Sequence, residues 1–211
     1  MRAPTTEAAR ATRMSAKDAL AAVHATRGPR DIVITTMSPA RDWMTLSPQS
    51  PLDIVFVPSA MGHATSLGLG LALAQPDRRV IVCNGDGSML MNLGSLVTIV
   101  GAGATNMVVL VFQNGVYEVT GSQSVPAEAD FATIARGSGF SSVFEFSNVQ
   151  DWTSRIGAVL DAPGPVFAVL RVAAASTRRG ANRNRGTRPQ RSRGRPAVGR
   201  PQTPRSARCR K

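Results

Sequence analysis

The sequence predicts an α/β protein, a three-layer fold in which a parallel β-sheet is covered by helices on both faces. Three observations lead there. Short β-branched apolar runs alternate along the chain with longer helical stretches, the pattern of repeated strand–helix–strand units. The central runs are apolar throughout instead of alternating with polar residues, as strands buried on both faces are. Two glycine-bearing turns, Gly85-Asp86-Gly87-Ser88 and Asn114-Gly115-Val116-Tyr117, each follow a predicted strand directly. Ligands of open parallel sheets bind at that carboxyl edge.

The elements follow in order. Ile32–Thr36 and 54–57 are short and bounded by Pro, Asp or Ser, and read as strands. Residues 62–75, rich in Ala, Leu and Gly, form a helix stopped at Gln75-Pro76-Asp77. A buried strand at 80–83 leads into the first glycine turn and a helix over 90–100. The apolar strand 107–112 leads into the second turn. Residues 131–136 are predicted as a short helix, Ser142–Phe146 as a strand, Val149–Leu160 as a helix and 166–172 as the last strand.

Charge separates a body from a tail. The net charge of +12 suggests nucleic acid, yet 13 of the 25 basic residues fall in 176–211, which hold no Asp or Glu. The remaining 12 face 13 acidic residues, so the body carries −1. The tail, made of Arg, Gly, Pro and Ser, lacks the apolar surface that offsets ordering entropy, and disorder is expected. A flexible stretch 1–14, one domain over 15–175 and a disordered basic tail over 176–211 are therefore expected. Residues 1–13 admit either a weak transit-like leader or an untidy start before Met14. Two cysteines, Cys83 in a buried strand and Cys209 in the tail, make no disulfide framework, and a reduced, cytoplasmic setting is expected. No apolar run approaches the roughly 20 residues of a membrane helix, so no membrane partner is expected.

Chemistry concentrates at three places. The glycines beside Asp86 let backbone approach a ligand closely, and the following helix start presents N–H groups to an anion. A carboxylate there repels a bare phosphate but suits one bridged by a hard cation such as Mg²⁺. The bland reading is a turn with an aspartate cap. Asn114 lies 28 positions after Asp86, a distance that suits one helix and one strand returning to the same edge. Its amide oxygen can join the same ion; alone, Asn-Gly is more often a plain turn. The third place is Ser59-Ala60-Met61-Gly62-His63-Ala64, ahead of a helix with Gly68 and Gly70. Met61 there is either a flexible apolar support or a core methionine.

These segments, with Met89-Leu90-Met91-Asn92-Leu93-Gly94-Ser95-Leu96 and Thr120-Gly121-Ser122-Gln123, resemble the diphosphate-binding domain of thiamine-diphosphate enzymes. Within that superfamily the chain is most similar to the sulfopyruvate and phosphonopyruvate decarboxylase branch, over roughly 15–175. The resemblance implies that Asp86 and Asn114 bind Mg²⁺ through side chains and Val116 through its carbonyl. It implies that Gly87 and Ser88 hold the diphosphate by backbone N–H and hydroxyl, with Gly62, Gly85 and Tyr117 beside the cofactor. Met61 would wedge the cofactor into a bent shape, and Ser59 would offer its backbone carbonyl to the aminopyrimidine. His63 is either a cofactor neighbour or simply the start of a helix.

Two departures matter. Gln113 stands where the family has the first of two Asn residues. No pyrimidine-binding domain, with its activating glutamate, is found in this sequence. The resemblance therefore implies a pyrimidine-domain partner subunit in a hetero-oligomer, self-association, and weak binding and turnover by this chain alone. The implied activity is decarboxylation of a 2-oxo acid. An acetolactate synthase-like carboligase shares the first steps, and a domain that binds cofactor without catalysis is a third reading. No group gripping the substrate's tail is evident beyond Arg41 as a candidate. A reading of another class gives the Arg-rich tail non-specific nucleic-acid binding over a scaffold body; a shifted reading frame also accounts for the tail's composition. Deleting 177–211 separates these: cofactor binding by titration is expected to be unchanged, and salt-sensitive nucleic-acid binding to vanish.

Overall fold

Six parallel strands run in the order β2-β1-β3-β4-β8-β7. They are β1 (Ile32–Thr36), β2 (Asp53–Phe56), β3 (Val80–Gly85), β4 (Met107–Gln113), β7 (Ser142–Phe146) and β8 (Val166–Arg171). A two-stranded antiparallel hairpin, β5 (Val116–Tyr117) with β6 (Gln123–Ser124), stands apart from the sheet. The computed structural model describes residues 14–47, 50–56 and 61–174. The expected tail and the flexible start up to residue 13 lie outside the described residues, as does Ser59.

The helices are α1 (Ala16–Thr26), α2 (Met37–Leu46), α3 (Ala64–Ala74), α4 (Asp86–Leu90), α5 (Gly94–Gly101), α6 (Phe131–Gly137) and α7 (Val149–Leu160). Two hydrophobic cores sandwich the sheet. Leu20, Trp43 and Trp152, from α1, α2 and α7, pack against Ile81, Leu110 and Ala168 on one face. Ala72, Leu96 and Phe131, from α3, α5 and α6, pack against Val82, Val109 and Phe167 on the other. Alternate residues of each strand thus enter opposite cores, which is why the strands read as unbroken apolar runs. Among the described residues, no helix is long and apolar enough to cross a membrane.

After α1 the chain enters the sheet at β1, moves outward to β2 and returns to β3 on the other side of β1. Between β1 and β3 the direction of winding reverses. Loops leaving the carboxyl ends of such neighbours diverge to opposite faces and open a crevice.

Ser142–Phe146 and Val149–Leu160 match the expected bounds. The 62–75 helix forms from Ala64, and the single helix expected over 90–100 is instead α4 and α5, separated by a turn at residues 91–93. Helices α1 and α2 and the β5–β6 hairpin were not anticipated. α1 starts at Ser15, whose hydroxyl accepts the Asp18 N–H at 3.0 Å, a side-chain cap of ordinary kind.

A largely buried polar cluster, in which Arg27 keeps some exposure, fastens α1, α2 and β2 together. The Arg27 guanidinium pairs with one oxygen of Asp53, and the other accepts the Trp43 Nε1–H at 2.8 Å. Arg27 also lies over the Trp43 ring, 5.2 Å from its centre. Removing one partner of such a buried pair strands the other charge. Asp53→Ala is expected to lower stability by about 3–5 kcal/mol, measured by denaturant unfolding of the full chain.

Candidate functional site

β3 ends in Gly85, and α4 begins at Asp86 without a break. This abrupt passage leaves the carboxylate at the sheet's edge while neighbouring backbone encloses it. Asp86 is 2 % exposed. One of its oxygens accepts the Gly87 N–H at 2.8 Å, closing the turn on itself. The other accepts the Gly115 N–H at 2.7 Å, from the loop that leaves β4. A single carboxylate therefore joins the two strand ends. Each oxygen still has a lone pair to offer, since a carboxylate can accept about four hydrogen bonds or ligand contacts.

Gly115 has φ +80° with open space about its Cα, a left-handed conformation that glycine adopts at no steric cost. The chain thereby turns so that the Asn114 amide oxygen accepts the Val116 N–H at 2.9 Å and the Gly115 N–H points at Asp86.

The charge on Asp86 is in tension. Burial pushes its carboxyl above the ordinary value; hydrogen bonds from the Gly115, Gly87 and Asn114 backbone pull it down, and Glu118 pushes up again. The balance stays raised, the condition in which a nearby cation is most welcome.

The two turns border a cleft of about 400 Å³. Gly85, Asp86, Gly87 and Ser88 form its floor, and Asn114, Val116 and Tyr117 one wall. The lining also takes in Met37, Ser38, Pro39 and Asp42 from α2, with Ser15, Ala16 and Lys17 at the start of α1. Met61 also reaches the cleft. β1, β3 and β4 all deliver their carboxyl ends here, as the winding reversal requires. Near the mouth, burial raises the Asp42 carboxyl, Arg41 and Lys17 oppose the rise, and Glu118 adds to it.

Of the residues expected at the site, Met61, Gly85, Asp86, Gly87, Ser88, Asn114, Val116 and Tyr117 come together around this one cleft. Gly62 supports it from behind: at φ +79°, it donates its N–H to Ser88 Oγ at 3.0 Å, and its carbonyl accepts from Asn92 Nδ2 at 2.8 Å. His63 does not join the cleft lining and lies exposed where α3 begins, which favours its helix-start role. Arg41 is exposed on α2 and is not part of the wall. The Gly87 N–H, expected to hold a phosphate, is already donated to Asp86. Ser88 accepts from Gly62 and keeps its own O–H proton for a ligand.

Gln113 has work of its own. Its Nε2–H donates to the Ala129 carbonyl at 3.0 Å, tying the end of β4 to the segment before α6. The larger amide thus faces away from the task of Asn114. The α2 wall was missed in the sequence. Met37 holds φ +59° at the end of β1, and Thr36 gives the helix no side-chain cap. The Ser38-Pro39 pair, with proline in the first turn of a helix, is the signal that marks it.

Comparison with known proteins places the chain among relatives. Residues 34–170 match the family described as thiamine pyrophosphate enzyme, C-terminal TPP binding domain. A phosphonopyruvate decarboxylase of Streptomyces viridochromogenes is 36% identical over 172 residues, covering 80% of this chain and 42% of that protein. The sulfopyruvate decarboxylase subunit beta of Methanothermobacter thermautotrophicus is 42% identical over 110 residues, 52% of this chain and 56% of that subunit. Among solved structures, benzoylformate decarboxylase of Polynucleobacter necessarius superposes with a TM-score of 0.68 at 17% identity, covering 82% of this chain and 36% of that one; at that identity it speaks for the fold alone. The chain thus spans less than half the length of the phosphonopyruvate decarboxylase it matches. With more than half of its residues within the matched region, the chain belongs to the C-terminal TPP binding domain family of thiamine pyrophosphate enzymes.

Proposed function

We propose that this chain is the cofactor-binding part of a thiamine-diphosphate- and Mg²⁺-dependent 2-oxoacid decarboxylase of the sulfopyruvate/phosphonopyruvate type. It works with a pyrimidine-domain partner subunit. The observation that carries the reading is the hydrogen bond from the Gly115 N–H to Asp86, which makes the two turns one site. The decarboxylase names of the relatives at 36% and 42% identity support the reaction class.

The residues present suit the cofactor. Asp86 offers a carboxylate, Asn114 a neutral amide oxygen and Val116 a backbone carbonyl, all hard donors. Mg²⁺ is typically held by one or two carboxylates plus waters and phosphate oxygens. Accordingly, no group of three or more His, Cys, Asp or Glu is gathered anywhere among the described residues, and this chemistry requires none.

In that role Asp86 and Asn114 hold the metal ion at the ends of β3 and β4. The Ser88 hydroxyl donates to the diphosphate. Met61 packs against the apolar body of the cofactor and keeps water from it. When bound, thiamine diphosphate supplies the electron sink that lets a 2-oxo acid lose CO₂. The activating glutamate is assigned to the partner subunit, as is the choice between an aldehyde product and the longer product of a carboligase.

The test is to isolate the full chain with a pyrimidine-domain subunit and titrate the complex with thiamine diphosphate in Mg²⁺. Asp86→Ala and Asn114→Ala are expected to weaken binding by about 10–100-fold, and decarboxylation of sulfopyruvate or phosphonopyruvate is expected to fall with it. Binding that survives Asp86→Ala unchanged contradicts the metal assignment. A condensed product from two 2-oxo acids, in place of an aldehyde, favours the carboligase.

A further inference from the structure

The glycines of the two turns are glycines for opposite reasons. Gly115 needs its left-handed backbone and has free space around it. Gly87 has no such backbone requirement, being absent from the positive-φ positions. Its constraint is space: a Cβ built on Gly87 falls 2.5 Å from Cδ1 and 2.7 Å from Cε1 of Tyr117. The atom that excludes a side chain at Gly87 belongs to the protein itself.

Tyr117 sits on β5, directly after the Asn114 turn, and its ring bears on the first turn of α4. The hairpin and α4 are thus joined twice, once by the polar bond from the Gly115 N–H to Asp86 and once by this apolar contact. The hydrogen bond fixes a direction of approach, and the ring sets how near the turns can come. Because the ring is only half-buried in the cleft wall, ligand binding and this contact share one surface.

We propose that Tyr117 is a positioning residue: its ring, pressed on the bare Cα of Gly87, sets the separation at which Asp86 and Asn114 face a single metal ion. Tyr117 acts through Gly87 and need not touch the cofactor. The proposal rests on the thiamine-diphosphate reading for its functional consequence, and the contact itself stands on geometry alone.

The experiment uses the full chain and four variants: Gly87→Ala, Tyr117→Ala, the double variant and Tyr117→Phe. Each is melted without ligand and, in complex with the pyrimidine-domain subunit, titrated with thiamine diphosphate in saturating Mg²⁺. Gly87→Ala is expected to lower the melting midpoint and weaken binding by about tenfold. Tyr117→Ala is expected to weaken binding, because the spacing set by the ring is lost. Adding it to Gly87→Ala is expected to recover most of the fall in melting midpoint, because the clash leaves with the ring, with binding no tighter than in Tyr117→Ala. Tyr117→Phe, which keeps the ring, is expected to behave as the unaltered chain. A double variant that melts no higher than Gly87→Ala overturns the proposal and returns Gly87 to the role of close approach to a ligand, and a Tyr117→Ala variant that binds as tightly as the unaltered chain overturns the positioning role. A loss in Tyr117→Phe equal to that in Tyr117→Ala overturns it as well, since the hydroxyl would then be the active part. If the unaltered chain takes up no thiamine diphosphate, alone or with its partner, the functional reading fails separately. The ligand-free melts then decide the contact: recovery in the double variant supports it, and its absence overturns it.

Discussion

The structure turns on one buried carboxylate held by backbone donors from two turns. Asp86 closes its own turn through Gly87 and holds the next loop through Gly115. Burying a carboxylate is costly unless it is hydrogen-bonded or paired, and here the hydrogen bonds come from the two segments that have to meet. Without them, the loops leaving β3 and β4 would be separate excursions from neighbouring strands. With them, the edge of the sheet has a single concave surface bearing a partly compensated negative charge. Burial, the largest cause that raises the Asp86 carboxyl, is the cost that a cation in that position would offset.

Everything else in the fold serves to present that edge. Parallel strands buried on both faces bring successive carboxyl ends to one side, and the reversal between β1 and β3 opens the crevice into which they project. The sheet is stiffened away from the cleft by large anchors. Trp152 donates its Nε1–H to the Ala19 carbonyl at 3.0 Å, fixing α7 to α1, and the Arg27–Asp53–Trp43 cluster fixes α1, α2 and β2. The α2 wall is thereby held at a set distance from Asp86, although it contributes no hydrogen bond to that residue.

Much of this was legible in the sequence because the signals are strong where burial is complete. The strands Ile32–Thr36 and Ser142–Phe146 and the helix Val149–Leu160 emerge with their expected bounds, since β-branched and aromatic runs bounded by turn residues and a 3.6-residue period leave little choice. Asp86 and Asn114 were readable from their place after buried strands and their spacing. What escaped was what local pattern does not encode. α1 carries a capping serine, Ser15, and an acidic first turn, but its small alanines give a weak apolar period. α2 begins at a methionine in a left-handed conformation, which no residue preference announces. The 91–93 turn within the expected 90–100 helix follows from tertiary anchoring, with Asn92 reaching back to the Gly62 carbonyl. The contact at Gly87 was also out of reach: a glycine shows that space is needed, and only the fold shows that the Tyr117 ring lies against it.

The most direct examination of the central claim is a crystal structure of the full chain, with its partner subunit, grown with thiamine diphosphate and Mn²⁺ and phased to show the metal by its anomalous signal. The account predicts one ion at the carboxyl ends of β3 and β4, bonded by the Asp86 carboxylate and the Asn114 amide oxygen. It also predicts that the Gly115 N–H remains on Asp86. An ion bound elsewhere, or the two turns drawn apart with no ion between them, would contradict it.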